Sequence, residues 1–317
     1  MEGGYLKKWL KHIKRGFENM KKGKMTWKEN LSAYSFLSPW IIGLILFTGG
    51  PIIVSILLSL CKWNLLGSPR FIGFANYSQM FADSEFLNSL KVTIIFTIIS
   101  VAVSVFAALF LAVLLNFKVK FVGIFQFFYF VPAVMPSVVM AFVFKLMFNK
   151  ELGVVNYLLS FIGIHNAPNW LNDSFWIWPT LAYASIFTYS TGQMMLIFAS
   201  SLKEVPPELY EACDLDGANF VQRFIHVTLP SISPIILFNV VVATVSSFNS
   251  SFTLIYPLTD GGPNNATEVL SLSIFKNAFK LFDMGYASAL AVILFIIVAV
   301  VAAFQFRMSK NWVHYDA

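Results

Sequence analysis

The chain has 317 residues, of which 57% are hydrophobic and only 12% are charged, and its mean hydropathy is +0.71. Soluble domains carry charge on about a quarter of their residues, so this composition excludes an ordinary soluble fold. The net charge of +6 does not indicate a nucleic-acid-binding protein, because the basic residues lie beside apolar stretches and form no soluble basic face.

The first predicted element is a basic amphipathic helix over residues 5–20. Its apolar side chains recur at helical spacing, and basic side chains occupy the rest of the circle. Such a segment favours the headgroup region of an anionic cytoplasmic leaflet. Binding of a calmodulin-like protein or of nucleic acid is the alternative. We assign residues 1–33 to a cytoplasmic amphipathic basic segment.

Six apolar stretches follow, and each is long enough to cross about 30 Å of hydrocarbon as a helix. They lie at Phe36–Leu60, Val92–Leu115, Val122–Phe144, Ile177–Phe198, Pro234–Tyr256 and Tyr286–Phe306. The sequence therefore predicts an all-α polytopic membrane protein. Residues 34–306 form its six-helix transmembrane domain, and residues 307–317 form a cytoplasmic tail.

Lysine and arginine are distributed unevenly between the two sides of these six stretches. The two termini and the second and fourth connections carry 15 of them, whereas the first, third and fifth connections carry five. Basic residues beside membrane spans remain on the cytoplasmic side. We therefore expect both termini in the cytoplasm and the odd-numbered connections outside.

The sequence predicts no catalytic residue, no metal site and no bound cofactor. Cys61 and Cys213 fall on opposite sides of the membrane and cannot form a disulfide bond. The four histidines are scattered over different segments, and no HExxH, CxxC or GxSxG motif occurs. A P-loop is also missing, because Gly23-Lys24 is followed by Met25 where serine or threonine is required.

The connection between the fourth and fifth stretches, Lys203–Leu229, is long, polar and acidic. The prolines Pro206 and Pro207 can begin a short helix, Gly217 can end it in a left-handed conformation, and Pro230 then introduces the fifth span. The pattern predicts a helix–turn–helix within the connection at residues 203–230. A protruding helix with the carboxylate of Glu211 at its centre suits docking into a groove of another protein.

This connection resembles the coupling loop of permease subunits of binding-protein-dependent ABC importers, in the carbohydrate-uptake group of the maltose, glycerol-3-phosphate and lactose-type permeases. The signature is met by Glu211, Ala212, Gly217, Val227, Leu229 and Pro230, with Cys213 in place of the second alanine. The resemblance extends over roughly residues 34–306. It includes an outer-loop motif at residues 71–77, a third-span segment at 131–136 and the Thr-Asp-Gly-Gly-Pro turn at 259–263.

The resemblance implies a type I ABC importer permease fold in a bacterial cytoplasmic membrane. It implies a second homologous permease, two ATP-binding subunits, an extracytoplasmic solute-binding protein and a carbohydrate substrate as partners, and no nucleic acid. ATP and Mg²⁺ would be bound by the partner subunits, so the chain itself would not be an enzyme. Contacts to the ATPase would come from Glu211, Ala212, Asp216, Gly217, Leu229 and Pro230.

Polar residues in the fourth and fifth stretches are the predicted solute path. The family's sugar-facing positions fall on Ile186, Tyr189, Ser190 and Gln193, and on Thr244, Ser247, Phe248 and Ser251. Each set follows the spacing 0, 3, 4, 7 and can line one helix face. Hydroxyls, an amide and aromatic rings without charge suit a neutral sugar or polyol. The alternative is that these residues form hydrogen bonds between packed helices.

A secondary carrier or channel for a small neutral solute is the competing function. A carrier is expected to have repeated halves or buried ion-coupling carboxylates, and the six stretches contain no aspartate or glutamate. A membrane-embedded enzyme would need paired catalytic groups at membrane depth, which the sequence lacks. The permease is therefore the preferred interpretation.

Overall fold

The computed structural model describes residues 27–116, 122–187, 189–310 and 312–313. The predicted basic helix over residues 5–20 lies outside the described residues. The chain divides into two compact units, residues 1–55 and 56–317. The described part of the first unit is helical, with an α-helix at Trp27–Leu44, a π-helical turn at Ile45–Gly49 and the start of the helix Gly50–Ser59.

The second unit is built from helices and one small hairpin. Two short strands, Cys61–Lys62 and Arg70–Phe71, pair antiparallel with Cys61 opposite Phe71. The α-helices are Ala75–Ala82, Ser84–Asn116, Val122–Val134, Ser137–Met147, Val154–Phe161, Ile177–Ile186, Tyr189–Glu204, Pro207–Leu215, Phe220–Arg223, Leu229–Ser231, Ser233–Thr259, Leu270–Phe275 and Met284–Ser309, with π-helical turns at Phe224–Thr228 and Lys276–Lys280.

Among the described residues, three helices are long and apolar enough to cross a membrane: Tyr34–Ser59, Ser84–Asn116 and Met284–Ser309. A fourth candidate is the pair Phe220–Ser231 and Ser233–Asn249, which is bent by 70°. The described residues are mostly helical, as predicted, apart from the two-stranded hairpin. Helix length alone does not establish all six predicted spans, because two of the predicted stretches are interrupted.

The third and fourth stretches each form two helices instead of one. The third breaks between Val134 and Ser137, where Pro136 lacks a backbone N–H and restricts the residue before it. The fourth breaks after Ile186, and the N–H of Phe187 turns back to the carbonyl of Ala184. No proline marks this second break, so the local sequence gives no signal for it.

Two of the three buried clusters among the described residues of the second unit join the second span to the third, fourth and fifth. One lies towards the start of the helix Ser84–Asn116 and includes Phe96, Phe144, Leu181 and Ile255. The other lies towards the end of the same helix and includes Ala112, Phe198, Leu202, Ile232 and Ala243. Tyr210 and Val227 of the predicted helix–turn–helix pack against this second cluster, which fixes that connection to one end of the bundle.

Candidate functional site

The docking helix, Pro207–Leu215, begins and ends at the residues that the sequence indicates. Pro207 occupies its first turn. A backbone N–H there has no acceptor within the helix, so proline loses no hydrogen bond at this position. Gly217 has φ of +75°. The N–H of Ala218 donates to the carbonyl of Cys213 at 3.0 Å, and the N–H of Gly217 donates to that of Asp214 at 3.2 Å. This is a Schellman motif, which glycine forms without steric cost.

The segment after the turn is capped and braced against the docking helix. Asn219 accepts from the N–H of Gln222 at 2.9 Å, while the Gln222 side chain accepts from the N–H of Asn219 at 2.8 Å. Arg223 forms an ion pair with Asp214 at 2.5 Å. The hydroxyls of Tyr210 and Thr228 lie 3.0 Å apart. These two cross-contacts join the docking helix to the segment that leads into the fifth span.

The outward face of the docking helix is an exposed acidic and apolar surface. Glu208, Glu211, Ala212 and Leu215 recur at helical spacing, and all four are exposed. Leu215 is 91% exposed. This face therefore presents two carboxylates and the apolar side chain of Leu215 to its surroundings. Glu208 and Leu215 are absent from the predicted set, although their spacing from Glu211 was readable in the sequence.

The remaining predicted coupling residues lie at the turn and at the bend. Asp216 is exposed and caps the docking helix. Leu229 and Pro230 lie half-buried in the short helix Leu229–Ser231, directly before the bend into the helix Ser233–Thr259. The carbonyl of Pro230 accepts a hydrogen bond from the Ser233 hydroxyl at 2.7 Å. A short bonded segment therefore joins the docking helix to the helix Ser233–Thr259.

A cleft of about 660 Å³ separates this segment from the ends of the second and fourth spans. Val113, Asn116 and Leu202 line the cleft on the bundle side. Tyr210, Phe220, Arg223, Phe224 and Thr228 line it on the other side. Tyr210 and Val227 of this segment pack against the buried cluster at the end of the bundle.

The predicted path residues of the fourth span lie at the break in that span and on the helix that follows it. Gln193 lies on the helix Tyr189–Glu204 with an exposed side chain. Tyr189 and Ser190 lie on the same helix, but their side chains lie outside the description. Ile186 ends the preceding helix, and its carbonyl accepts a hydrogen bond from the Tyr129 hydroxyl at 3.1 Å.

The predicted residues of the fifth span are buried against other helices of the same chain. Thr244 accepts from the Gln305 amide at 2.8 Å, and Ser251 lies 2.8 Å from the hydroxyl of Ser271. Ser247 contacts Thr97 at 3.5 Å and Ser100 at 3.4 Å, at the limit of a hydrogen bond. Phe248 is also buried. The role of these residues in a solute path remains a prediction.

A small cavity lies where the breaks in the third and fourth spans meet the second and fifth spans. Its volume of about 30 Å³ holds about two water molecules at ~10–15 Å³ each. A drug-sized ligand needs about 300–1,000 Å³. The cavity is therefore too small for a sugar. Its hydroxyl-bearing lining residues are Ser100, Ser104, Ser137, Ser185, Ser246 and Ser247.

No group of three or more histidine, cysteine, aspartate or glutamate side chains within the described ranges is placed to hold a metal ion. Cys61 and Cys213 are free thiols.

Comparison with known proteins places this geometry in context. The family model for the inner membrane component of binding-protein-dependent transport systems matches residues 101–312. The chain is 39% identical to the probable ABC transporter permease protein YesP of Bacillus subtilis over 95% of this chain and 98% of that protein. It is 32% identical to the sn-glycerol-3-phosphate permease UgpA of Agrobacterium fabrum, with 89% and 96% covered.

The chain is 29% identical to the trehalose/maltose permease protein MalF of Thermococcus litoralis, with 89% of this chain and 94% of that protein covered. A chain of a bacterial alginate ABC transporter, solved with a pentasaccharide-bound periplasmic protein, superposes with a TM-score of 0.79. The identity there is 22%, with 92% of this chain and 98% of that chain covered. This likeness shows a shared fold.

Proposed function

Because the chain belongs to the family of binding-protein-dependent transport system inner membrane components, we propose that it is the permease subunit of an ATP-driven importer. With a second permease it forms the path for a sugar, oligosaccharide or polyol that an extracytoplasmic binding protein delivers. The observation that carries the proposal is the exposed docking helix, braced to the segment that enters the fifth span. The relative named for trehalose and maltose supports the substrate class.

The docking helix transmits ATP hydrolysis to the membrane domain. The chain has no P-loop, so ATP and Mg²⁺ belong to two partner ATPase subunits. Glu211 accepts hydrogen bonds in a cleft of the ATPase, and Leu215 fills an apolar pocket beside it. The braces Asp214–Arg223 and Tyr210–Thr228 make the docking helix move together with Leu229 and Pro230. The cleft behind the segment gives it room to move.

All six apolar stretches cross the membrane, two of them as broken helices. Discontinuous helices in transporters occur where they line a cavity or are buried in protein. Both breaks here border the serine-lined cavity. The two termini and the docking helix are cytoplasmic, because lysine and arginine are concentrated on that side of the six stretches.

The solute passes along an outer face of this chain that the second permease completes. A cavity of about 30 Å³ inside the helix bundle cannot hold a sugar. Gln193 is exposed on the fourth-span helix and can face such a shared path. Thr244, Ser247 and Ser251 are hydrogen-bonded to other helices of the chain.

Growth of a strain that lacks this chain tests the proposed function. On a panel of neutral saccharides and polyols as sole carbon sources, growth on at least one should be lost, and a plasmid carrying the wild-type gene should restore it. Uptake of that solute should depend on ATP. Unchanged growth on every solute, or uptake driven only by an ion gradient, would contradict the proposal and favour a secondary carrier.

A further inference from the structure

The connection between the third and fourth spans contains a short helix with an unpartnered apolar face. In the outer helix, Val154–Phe161, the exposed side chains are Val154, Tyr157, Leu158 and Phe161. Their spacing of 0, 3, 4 and 7 places them on one face. Leu158 is 59% exposed and Phe161 is 72% exposed. The apolar surface continues into the flanking residues Leu152, Ile162 and Ile164.

The opposite face of the outer helix is fixed to the protein. Val155 packs against the buried cluster of the second to fifth spans. The Asn156 amide donates to the carbonyl of Lys150 at 2.9 Å and accepts from the Trp170 indole N–H at 2.6 Å. Trp170 in turn contacts Phe148, with ring centroids 5.8 Å apart. The exposed face is therefore held in one orientation and does not belong to a loose loop.

Composition identifies what covers this face. From Leu152 to Ile164 the chain has 13 residues without aspartate, glutamate, lysine or arginine. An apolar run of about 10–14 residues is too short to span a bilayer and is typical of a buried or interfacial segment. This one is not buried within its own chain. An apolar helix face with leucine and phenylalanine suits the headgroup–acyl boundary of a membrane.

Exposed apolar surface continues from the third-span helix into this connection. Leu146, one residue before the end of the third-span helix, is exposed and leads directly into the connection. The ring of Trp176 lies 5.1 Å from that of Trp170, and aromatic residues are usual where spans meet the headgroups. Charged Lys150 and Glu151 lie at one end of the uncharged run, and His165 lies at the other.

We infer that the outer helix lies in the headgroup–acyl boundary of the outer leaflet, with Val154, Tyr157, Leu158 and Phe161 in lipid. Asn156 then links the depth of this helix to Trp170 and the aromatic residues at the outer ends of the third and fourth spans. The inference rests on the membrane-spanning fold and not on the transported solute. A chain that transports no sugar would still show it.

Spin-label accessibility in the assembled importer tests the inference. Nitroxides are placed by Leu158→Cys or Phe161→Cys, with Asn166→Cys as the exposed control, in a chain whose Cys61 and Cys213 are serine. The complex is reconstituted in phosphatidylcholine–phosphatidylglycerol vesicles. At residues 158 and 161 we expect relaxation by oxygen to exceed relaxation by the aqueous nickel complex NiEDDA, with the reverse at residue 166.

Two outcomes would overturn the inference. Strong relaxation by NiEDDA at residues 158 and 161 would place the face in water. Low accessibility to both reagents would show that a partner chain covers it. Both labelled positions are exposed, so the label fills no core space, and agreement between them guards against a local effect of one substitution. Because the readout is independent of uptake, its failure is distinguishable from failure of the proposed transport function.

Discussion

The Nζ atom of Lys276 lies 2.6 Å from Oε2 of Glu268, whose side chain is only 10% exposed. Lys276 also donates to the carbonyl of Asp260 at 3.1 Å, and the pair therefore closes the loop between the fifth and sixth spans. Burial raises the pKa of Glu268, while the bond to Lys276 opposes that rise. Gly261 leaves the necessary space, because a Cβ there would lie 2.0 Å from Glu268 Oε2.

Replacing Lys276 tests whether this pair holds the loop. Lys276→Met leaves a buried carboxylate without its partner and should lower the free energy of unfolding by about 1.5–3 kcal/mol at pH 7. The pKa of Glu268 then rises further, so the loss should shrink as the pH falls and the carboxylate takes a proton. Thermal unfolding of the detergent-solubilised protein at several pH values measures this loss of stability. Lys280→Met, which removes an exposed pair, should cost less than about 1 kcal/mol; equal losses would argue against the special role of Lys276.

The left-handed backbone of Gly217 can be tested with a matched pair of substitutions. An added Cβ would meet nothing within 4 Å, so any effect arises from the backbone conformation and not from a clash. Gly217→Val should lower ATP-coupled uptake strongly, because a left-handed conformation costs about 1–2 kcal/mol for a residue with a Cβ and more for a branched one. Gly217→Asn should retain most uptake, since asparagine tolerates this conformation. Equal uptake by the two variants would remove the turn from the coupling mechanism.

Asn239 has an unusual environment on the fifth-span helix. It is 0% exposed, and neither amide atom has a hydrogen-bond partner among the described residues. Asn239→Leu should therefore raise the free energy of unfolding by about 1–3 kcal/mol, because an unsatisfied buried amide is removed. Thr244→Val is the control, since it breaks the bond to Gln305 and should destabilise the protein. A lower unfolding temperature for Asn239→Leu would show that the amide has a stabilising partner.

The orientation of the chain can be tested by cysteine labelling in a background whose Cys61 and Cys213 are serine. An impermeant maleimide should label Asn166→Cys in intact cells and Glu204→Cys only after lysis, since the two exposed positions lie on opposite predicted sides. Asn76 is unsuitable although it lies in an outward connection, because its amide is buried against the carbonyls of Ser59 and Cys61. The reverse labelling pattern would invert the orientation.

Local signals predict the docking helix well. Pro207 at its start and Gly217 after its end act through backbone geometry within a few residues, and such effects are readable in a sequence. The same holds for the apolar stretches, whose composition requires a membrane. The ion pair of Arg223 with Asp214 was not predicted, because nine residues and a turn separate them and their approach depends on the angle between two helices.

The sequence does not predict which helices contact each other, because those contacts depend on tertiary packing. Helical spacing places Thr244, Ser247 and Ser251 on one face, but it does not say which neighbour that face meets. Ser251 meets Ser271, a residue of another helix, which no pattern around Ser251 indicates. The break after Ile186 also lacks a proline or glycine signal. The outer helix was hidden for a different reason, since its eight residues are fewer than a hydropathy search for spans requires.

The measurement that tests the central claim most directly is solute uptake and ATPase activity of the purified importer in proteoliposomes, with Glu211→Ala compared with wild type. Glu204→Ala, an exposed glutamate outside the docking face, serves as the control. Losing one partner of a buried charged pair commonly costs about 2–5 kcal/mol. We therefore expect Glu211→Ala to assemble in the membrane yet lose at least about 90% of uptake, whereas Glu204→Ala keeps wild-type rates. Wild-type uptake by Glu211→Ala would contradict the assignment of this helix as the coupling element.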